Sequence, residues 1–432
     1  MNSILVNQLP KTALFLDAYC ASHVGNDVLL ESSMALLRRI CPDIEIKIHA
    51  KNPDSLKESQ GVHCQRTLFY DVPLGRNKLV KIFWFVNAAT FIGIQVLNAM
   101  TFRLPPYFLT FSANRRTALN DMTESDLVIS IGGEMINDSF RKTLPMYLFM
   151  FWLAGKFGAR VIIFPQSIGP LKRYWTRWLT AKVLKKCTIV TARDQPSFDE
   201  LHSLGLGGNQ ALTSPDVGIE QPTATDEEAK KYLVGMGVTV EGDRTWIGVI
   251  PSAWVEEGVV KKNYLDTLVE AIQHLALKHK VGVVLMPANM PVHGNSSSDY
   301  NTAMRIYSRL QDNCPVYIMR REVVPAKLFK AITRCLTLVI STRMHAAILS
   351  TMAGTPTITI NTQRKLYGYM ERIGQQRFSI DIHDLSEHVL LKVVEEILND
   401  QERVRSELRD GYHKVSVELK SYIKVVRPIL GC

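Results

Sequence analysis

The chain has 432 residues, more than one hydrophobic core usually organises, so two domains of roughly 200 residues each are expected. With 46% hydrophobic and 21% charged residues it has a globular composition, which excludes a disordered or fibrous protein. Fifty-one Lys and Arg against 41 Asp and Glu leave a net charge of +10, which favours anionic partners without choosing among phosphorylated metabolites, anionic lipid and nucleic acid.

The N-terminal stretch "MNSILVNQLPKTALFLDAYC" has no basic leader followed by an apolar core and a cleavage site, so no signal peptide is expected. Strand-like runs then alternate with helical patterns: "TALFLDAY", a helix from about Asp27 to Ile40, "IEIKIHA", "DLVISIGG", a helix from about Pro145 to Phe157, "ARVIIFPQS" and "CTIVTARD". This alternation predicts parallel strands with crossover helices, an α/β sheet. The apolar pattern lapses at "TSPDVGIEQPTATDEEAKKYL", which reads as a linker and places the domain boundary near residues 215 to 240. A second α/β series follows: "TWIGVIPS", a helix from Tyr264 to His279, "VGVVLMPA", a helix from Tyr300 to Asp312, "PVYIMR", a helix from Pro325 to Arg334, and "LTLVIS". The seven cysteines are scattered without C-x-x-C spacing, so neither a disulfide framework nor a zinc site is expected, and a reducing, cytoplasmic compartment fits.

Two segments stand out from this series. The uncharged run from Ile82 to Phe102 is long enough for a membrane span, but on a helical wheel Asn87, Thr90, Gln95, Asn98 and Thr101 share one arc, which predicts an amphipathic helix. Its apolar face either packs on the core or dips into a membrane surface. The run from Leu171 to Lys186 interleaves Tyr174, Trp175 and Trp178 with six Lys and Arg and no acid; this suits an anionic lipid interface, or a solvated face over a buried apolar one. No nucleic-acid module surrounds it, so no nucleic-acid partner is expected.

Candidate site residues cluster where strands end. Gly25 lets the backbone approach a ligand, and Asn26 or Asp27 can cap the following helix. Gly132 and Gly133 close a buried strand, Gln166 and Ser167 close the next, and Arg193 closes a third, where it either meets a ligand or pairs with a neighbouring carboxylate. In "STRMHAAILSTMAGTP", Arg343 and His345 stand where a strand gives way to a small-residue helix. An Arg fork grips carboxylate or phosphate, and His serves as acid or base near neutral pH. There is no Walker loop, G-x-S-x-G elbow, H-E-x-x-H pair or G-x-G-x-x-G fingerprint.

These blocks together resemble the polysaccharide pyruvyl transferase family. Its Ser-x-Arg-x-His strand end followed by Ala-Gly-x-Pro is matched by "STRMHAAILSTMAGTP", and "GNDVLLESSMALLRR", "ISIGGEMIND", "FPQSIGPL", "TARDQPSFDELHSLG" and "SPDVG" follow the family's order. Glu134 departs from it, standing where many members have a glycine or small residue. The resemblance implies a GT-B-like architecture of two Rossmann-like domains facing a cleft. Residues 1–220 would form the acceptor side, with Arg193 reaching the donor, and residues 221–432 would carry the donor motif. It further implies transfer of a pyruvyl group from phosphoenolpyruvate to a sugar, forming a ketal, with no metal and no cofactor beyond the donor substrate. Arg193 and Arg343 would hold the donor anions, His345 would act as the acid, and Gly25, Asn26, Gly132, Gly133, Gln166 and Ser167 would line the cleft on the N-terminal side. The acceptor would be a saccharide, free or lipid-linked, met in the cytoplasm or peripherally at the inner face of the membrane, with Ile82 to Phe102 and Leu171 to Lys186 as the segments for surface contact. The alternatives are a nucleotide-sugar glycosyltransferase of the same architecture and a catalytically silent assembly protein.

Overall fold

The computed structural model describes residues 9–18, 23–54, 56, 62–69, 77–255, 263–290, 298–319 and 324–432, and of Asp17 the backbone alone. The first eight residues of the stretch read as free of a signal peptide lie outside the described residues. The chain divides into two compact units: Met1–Cys20, Ser33–Val217 and Leu419–Cys432 form one, and Ala21–Ser32 with Gly218–Glu418 the other. The main passage therefore falls at Val217 and Gly218, while two short segments belong to the units opposite to those that a single division at residue 220 gives them. Helices α1 (Val24–Ile40) and α14 (Gln401–Leu430) each run through one of these passages.

The first unit is built on an eight-stranded parallel sheet. Its strands are β1 (Thr12–Ala18), β2 (Glu45–Ala50), β3 (His63–Arg66), β4 (Leu127–Ser130), β5 (Gly133–Ile136), β6 (Arg160–Ile168), β7 (Ile189–Ala192) and β8 (Ala211–Thr213). They lie in the order β3-β2-β1-β4-β6-β7-β8, with β5 paired to β6. The central strands are continuous runs of Leu, Val and Ile, as expected of parallel strands covered on both faces. One face carries α2 (Lys78–Met100), α3 (Ala113–Glu124), α4 (Leu144–Lys156), α5 (Tyr174–Leu184) and α6 (Gln195–Ser203), whose apolar residues share a core with Leu14, Val128, Ile163 and Val190. Among them α4 is buried on nearly every side, packed between α2 and α5. Contrary to the expectation from cysteine spacing, Cys41 is disulfide-bonded to Cys432 within this unit, a pairing across 391 residues.

Helix α2 departs in part from the predicted amphipathicity: Asn87, Thr90 and Thr101 of the polar arc stay exposed, and the other two members do not. The polar Gln95 and Asn98 face inward: Gln95 Nε2 donates to the Pro106 carbonyl at 2.9 Å, and the Asn98 amide exchanges hydrogen bonds with the Leu104 main chain at 2.8 and 3.0 Å. Trp84, Ala88 and Phe91 complete the buried side, with Phe91 edge-on to Phe149 of α4. Beside these exposed polar residues, an apolar stripe also faces solvent. The carbonyls of the following turn draw the amides inward, and the helix's own periodicity carries no signal of them.

The second unit carries a six-stranded parallel sheet of β9 (Thr245–Ile250), β10 (Val281–Leu285), β11 (Val316–Ile318), β12 (Leu338–Ser341), β13 (Thr357–Asn361) and β14 (Ser379–Asp381), in the order β11-β10-β9-β12-β13-β14. This is the doubly wound Rossmann order, with its reversal between β9 and β12; in sheets of this order ligands bind beyond the carboxyl ends of the strands at the reversal. Helices α7 (Asp226–Gly235), α8 (Tyr264–Lys278), α9 (Asp299–Leu310), α10 (Ala326–Arg334), α11 (Met344–Met352), α12 (Arg364–Arg372) and α13 (Glu387–Asn399) follow the predicted alternation. The stretch read as linker is ordered: α7 starts in it with a capping box, Thr225 and Glu228 each bonding the other's backbone N–H. Val24 and Val28 of α1 join the core of this unit beside Ile250, Val339 and Leu349.

Candidate active site

In the second unit the Ser-x-Arg-x-His elbow is held from within. The Ser341 hydroxyl accepts from the Arg343 N–H at 3.1 Å and donates to the Arg343 carbonyl at 2.9 Å, so the serine closes the turn rather than facing a ligand. Thr342 extends the ladder to Ile250 and hydrogen-bonds the buried Tyr264 hydroxyl at 2.6 Å; burial raises the Tyr264 pKa well above the phenol range, so this hydroxyl stays protonated. Arg343 then takes the extended N-cap conformation ahead of α11, and His345 is that helix's second residue. The helix's first N–H groups have no side-chain cap, which leaves a positive helix end beside two basic side chains.

Arg343 is fixed by a carboxylate that the sequence did not reveal. Its Nε donates to Asp299 Oδ2 at 2.9 Å and its Nη2 to Asp299 Oδ1 at 2.5 Å, a bidentate fork. Asp299 is fully buried at the start of α9 and also accepts from the Ala253 N–H at 3.0 Å, whereas a third of the Arg343 side chain is exposed. The carboxylate holds one edge of the guanidinium, and the other edge is turned toward solvent.

Gly25 and Asn26, expected on the N-terminal side, lie instead in the second unit, in the first turn of α1. A Cβ at Gly25 would stand 3.0 Å from His345 Nδ1, so glycine is what allows this helix start to lie against the imidazole. Asp27 caps a different helix from the one expected: its Oδ2 accepts from the Ala326 N–H at the start of α10 at 2.8 Å. Burial, then the nearby Glu31, raise its pKa to about 6. His23 opens α1 and bridges antiparallel to Asn289, just past β10. Burial and then the Arg343 guanidinium push its pKa below the usual imidazole range, with Asp299 pulling the other way. His23, Gly25, Arg343 and His345 thus gather at the carboxyl ends of β9, β10 and β12, at the strand-order reversal. The Ser-Ser-Ser-Asp run before Tyr300 marks a helix start, but no spacing rule couples Asp299 to an arginine 44 residues later.

The first unit gathers the other predicted residues. Gly132 and Gly133 both take positive φ (98° and 103°), which excludes side chains there without strain, and Gly133 pairs in register with Gln166 of β6. Gln166 is fully buried, with neither amide atom hydrogen-bonded among the described residues. Arg193 is paired with a carboxylate: Nη1 donates to Asp216 Oδ2 at 2.8 Å with both side chains 3% exposed, and Nε donates to Ser167 at 2.9 Å. The Ser167 hydroxyl in turn donates to Asp194 Oδ2 at 2.9 Å. This is the carboxylate-paired alternative, with the same guanidinium bonded to the Ser167 hydroxyl. Among the described residues no group of three or more His, Cys, Asp or Glu is arranged to hold a metal.

The sequence model of the family described as "Polysaccharide pyruvyl transferase" matches residues 23–364, which run from His23 past the Ser-x-Arg-x-His elbow. The chain belongs to the polysaccharide pyruvyl transferase family. It is an enzyme of that kind, and the expected resemblance is confirmed. A curated relative, the amylovoran biosynthesis protein AmsJ of Erwinia amylovora, is 20% identical over 290 residues, covering 66% of this chain and 69% of that protein. Solved structures share the fold: UDP-GlcNAc 2-epimerase from Neisseria meningitidis superposes with TM-score 0.56 at 10% identity, over 96% of this chain and 99% of that one. The Anabaena protein Alr3699/HepE in complex with UDP gives 0.56 at 11% identity over 96% and 98%. At such identities the likeness shows the two-unit, Rossmann-like GT-B architecture and nothing of the substrate.

Proposed function

We propose that this pyruvyl transferase takes phosphoenolpyruvate as donor and builds a cyclic ketal on two hydroxyls of a cell-surface polysaccharide or its lipid-linked precursor. The observation that carries this reading is the Arg343–Asp299 fork beside His345 at the strand-order reversal. The outward edge of Arg343 and the open N-terminus of α11 offer donors to the carboxylate and phosphate of the substrate, and Arg keeps its charge while doing so. His345, on the same turn, supplies the proton. Protonation of the donor's methylene carbon creates positive character at C2, one sugar hydroxyl adds there and loses its proton, and a second hydroxyl displaces phosphate. The products are the ketal and inorganic phosphate.

His23 contributes a second imidazole that is neutral at pH 7, suited to accept a hydroxyl proton. Gln166 and Ser167 with the Gly132–Gly133 turn serve the acceptor side. Arg193, sequestered by Asp216, acts by holding Ser167 in place. The relative AmsJ, named for amylovoran biosynthesis, supports an exopolysaccharide acceptor. We place the reaction in the cytoplasm, at the inner membrane face. Mass spectrometry of the polysaccharide from a deletion strain tests the pathway: loss of a pyruvyl ketal is expected, and loss of a hexose would instead establish a glycosyltransferase.

A further inference from the structure

We infer that the first unit docks on an anionic lipid bilayer through α2, the turn after it and α5, with α2 lying in the plane of the headgroups. The stripe of α2 that faces solvent is Leu79, Ile82, Phe83, Val86, Leu97 and Met100, with Phe83 77% exposed. A 23-residue helix offers about 35 Å of such stripe. Phe102, Phe108 and Phe111 continue the exposed apolar surface through the following turn. On the other flank of α4, helix α5 exposes Tyr174, Trp175 and Trp178, and Lys182 Nζ sits 4.4 Å over the Trp178 ring. Leu79, Ile82, Phe83 and Val86, at i, i+3, i+4 and i+7, share one side of the helix, an apolar surface of the kind that marks an interaction site.

Charge selects the occupant. Residues 72–120 and 139–193 hold 17 Lys and Arg and no Asp or Glu, while the rest of the chain has 34 Lys and Arg against 41 Asp and Glu. The whole positive excess thus belongs to the two stretches that carry α2 and α5. Lys78, Lys81, Arg103, Lys172, Arg173 and Lys182 are exposed around the aromatic and aliphatic side chains. Rings at headgroup depth ringed by cations are what an anionic interface binds. A second copy would set cation against cation. A transmembrane span would need α2 withdrawn from the core, breaking the Gln95 and Asn98 hydrogen bonds and unburying Trp84 and Phe91. This inference does not depend on the donor or the chemistry.

The test is co-sedimentation of the purified full chain with phosphatidylglycerol-containing vesicles, with phosphatidylcholine vesicles as reference. Binding at least about tenfold tighter to the anionic vesicles, weakened by raised salt, is expected. The triple variant Leu79→Ser, Phe83→Ser, Leu97→Ser removes only exposed side chains, so it should keep its melting temperature and its calorimetric affinity for phosphoenolpyruvate while losing about tenfold or more in vesicle binding. The inference is overturned if wild type ignores anionic vesicles, or if the folded triple variant binds them as well as wild type. It is also overturned if these residues instead mediate self-association in sedimentation velocity.

Discussion

Substituting Gly25 by Ala separates catalysis from folding in a way that the structure allows to be sized. The added Cβ would stand 3.0 Å from His345 Nδ1, 3.6 Å from Cγ and 3.7 Å from its Cβ, and ordinary contact begins near 3.4 Å. The imidazole must therefore give way by a few tenths of an ångström or rotate. Gly25 is not among the positive-φ glycines, so Ala meets no backbone strain, and its better helix propensity in the first turn of α1 offsets part of the crowding, by at most about 1 kcal/mol. The melting temperature should stay within a few degrees of wild type or rise. Turnover, measured as phosphate released from phosphoenolpyruvate in the presence of acceptor, should fall about 10- to 100-fold, the usual effect of misplacing a reacting group. Donor affinity by calorimetry, set by Arg343, should change little. A folded G25A enzyme with wild-type turnover would refute the role given to His345; an equal loss in donor affinity would mean that the crowding disturbs Arg343 instead.

Arg343→Lys keeps a positive charge but cannot reproduce the two-point fork on Asp299, so phosphoenolpyruvate affinity should drop at least about tenfold in calorimetry; unchanged affinity removes Arg343 from the donor site. Asp216→Asn strips the partner of a buried guanidinium and should cost about 3 kcal/mol in urea unfolding, whereas a loss below about 1 kcal/mol would show that Arg193 is not held by this pair. Asp27 predicts a pH dependence. Its pKa is raised from 3.8 to about 6, so the native state binds the extra proton, and wild type loses stability as pH rises through that window, by about 3 kcal/mol in total. Asp27→Asn can still accept from the Ala326 N–H and should be equal to wild type near pH 4 but more stable above pH 6; a stability difference independent of pH between 4 and 7 contradicts this.

Much of the fold was legible because parallel strands buried on both faces are unbroken apolar runs, and the helices between them have clear caps. The helix predicted from Tyr264 to His279 ends one residue earlier, at Lys278. The elbow itself was legible, since Arg343 and His345 are five and seven residues beyond the start of a four-residue strand, Leu338–Ser341, with little room for other placements. What the sequence hid are partnerships across long separations. Asp299 with Arg343, Cys41 with Cys432, and Gly25 against His345 from opposite halves of the chain depend on which strands and helices become neighbours, which no local period encodes. The orientation of α2 was missed for a related reason: Gln95 and Asn98 belong to the polar arc on a wheel, yet two carbonyls a few residues downstream accept from their amide N–H groups, while apolar neighbours on the opposite side stay outside. Arg193 was read by spacing as a choice between ligand and carboxylate and by resemblance as a holder of the donor anions; the partner that the structure gives it, Asp216, lies 23 residues on, beyond any local pattern.

The most direct measurement is to incubate the purified enzyme with isotopically labelled phosphoenolpyruvate and the lipid-linked saccharide from the producing cells, and to analyse the product by mass spectrometry. The account predicts a saccharide heavier by one labelled pyruvyl ketal group for each phosphate released, and no such product with His345→Ala. A saccharide that gains no label while the protein is folded and binds the donor would contradict it.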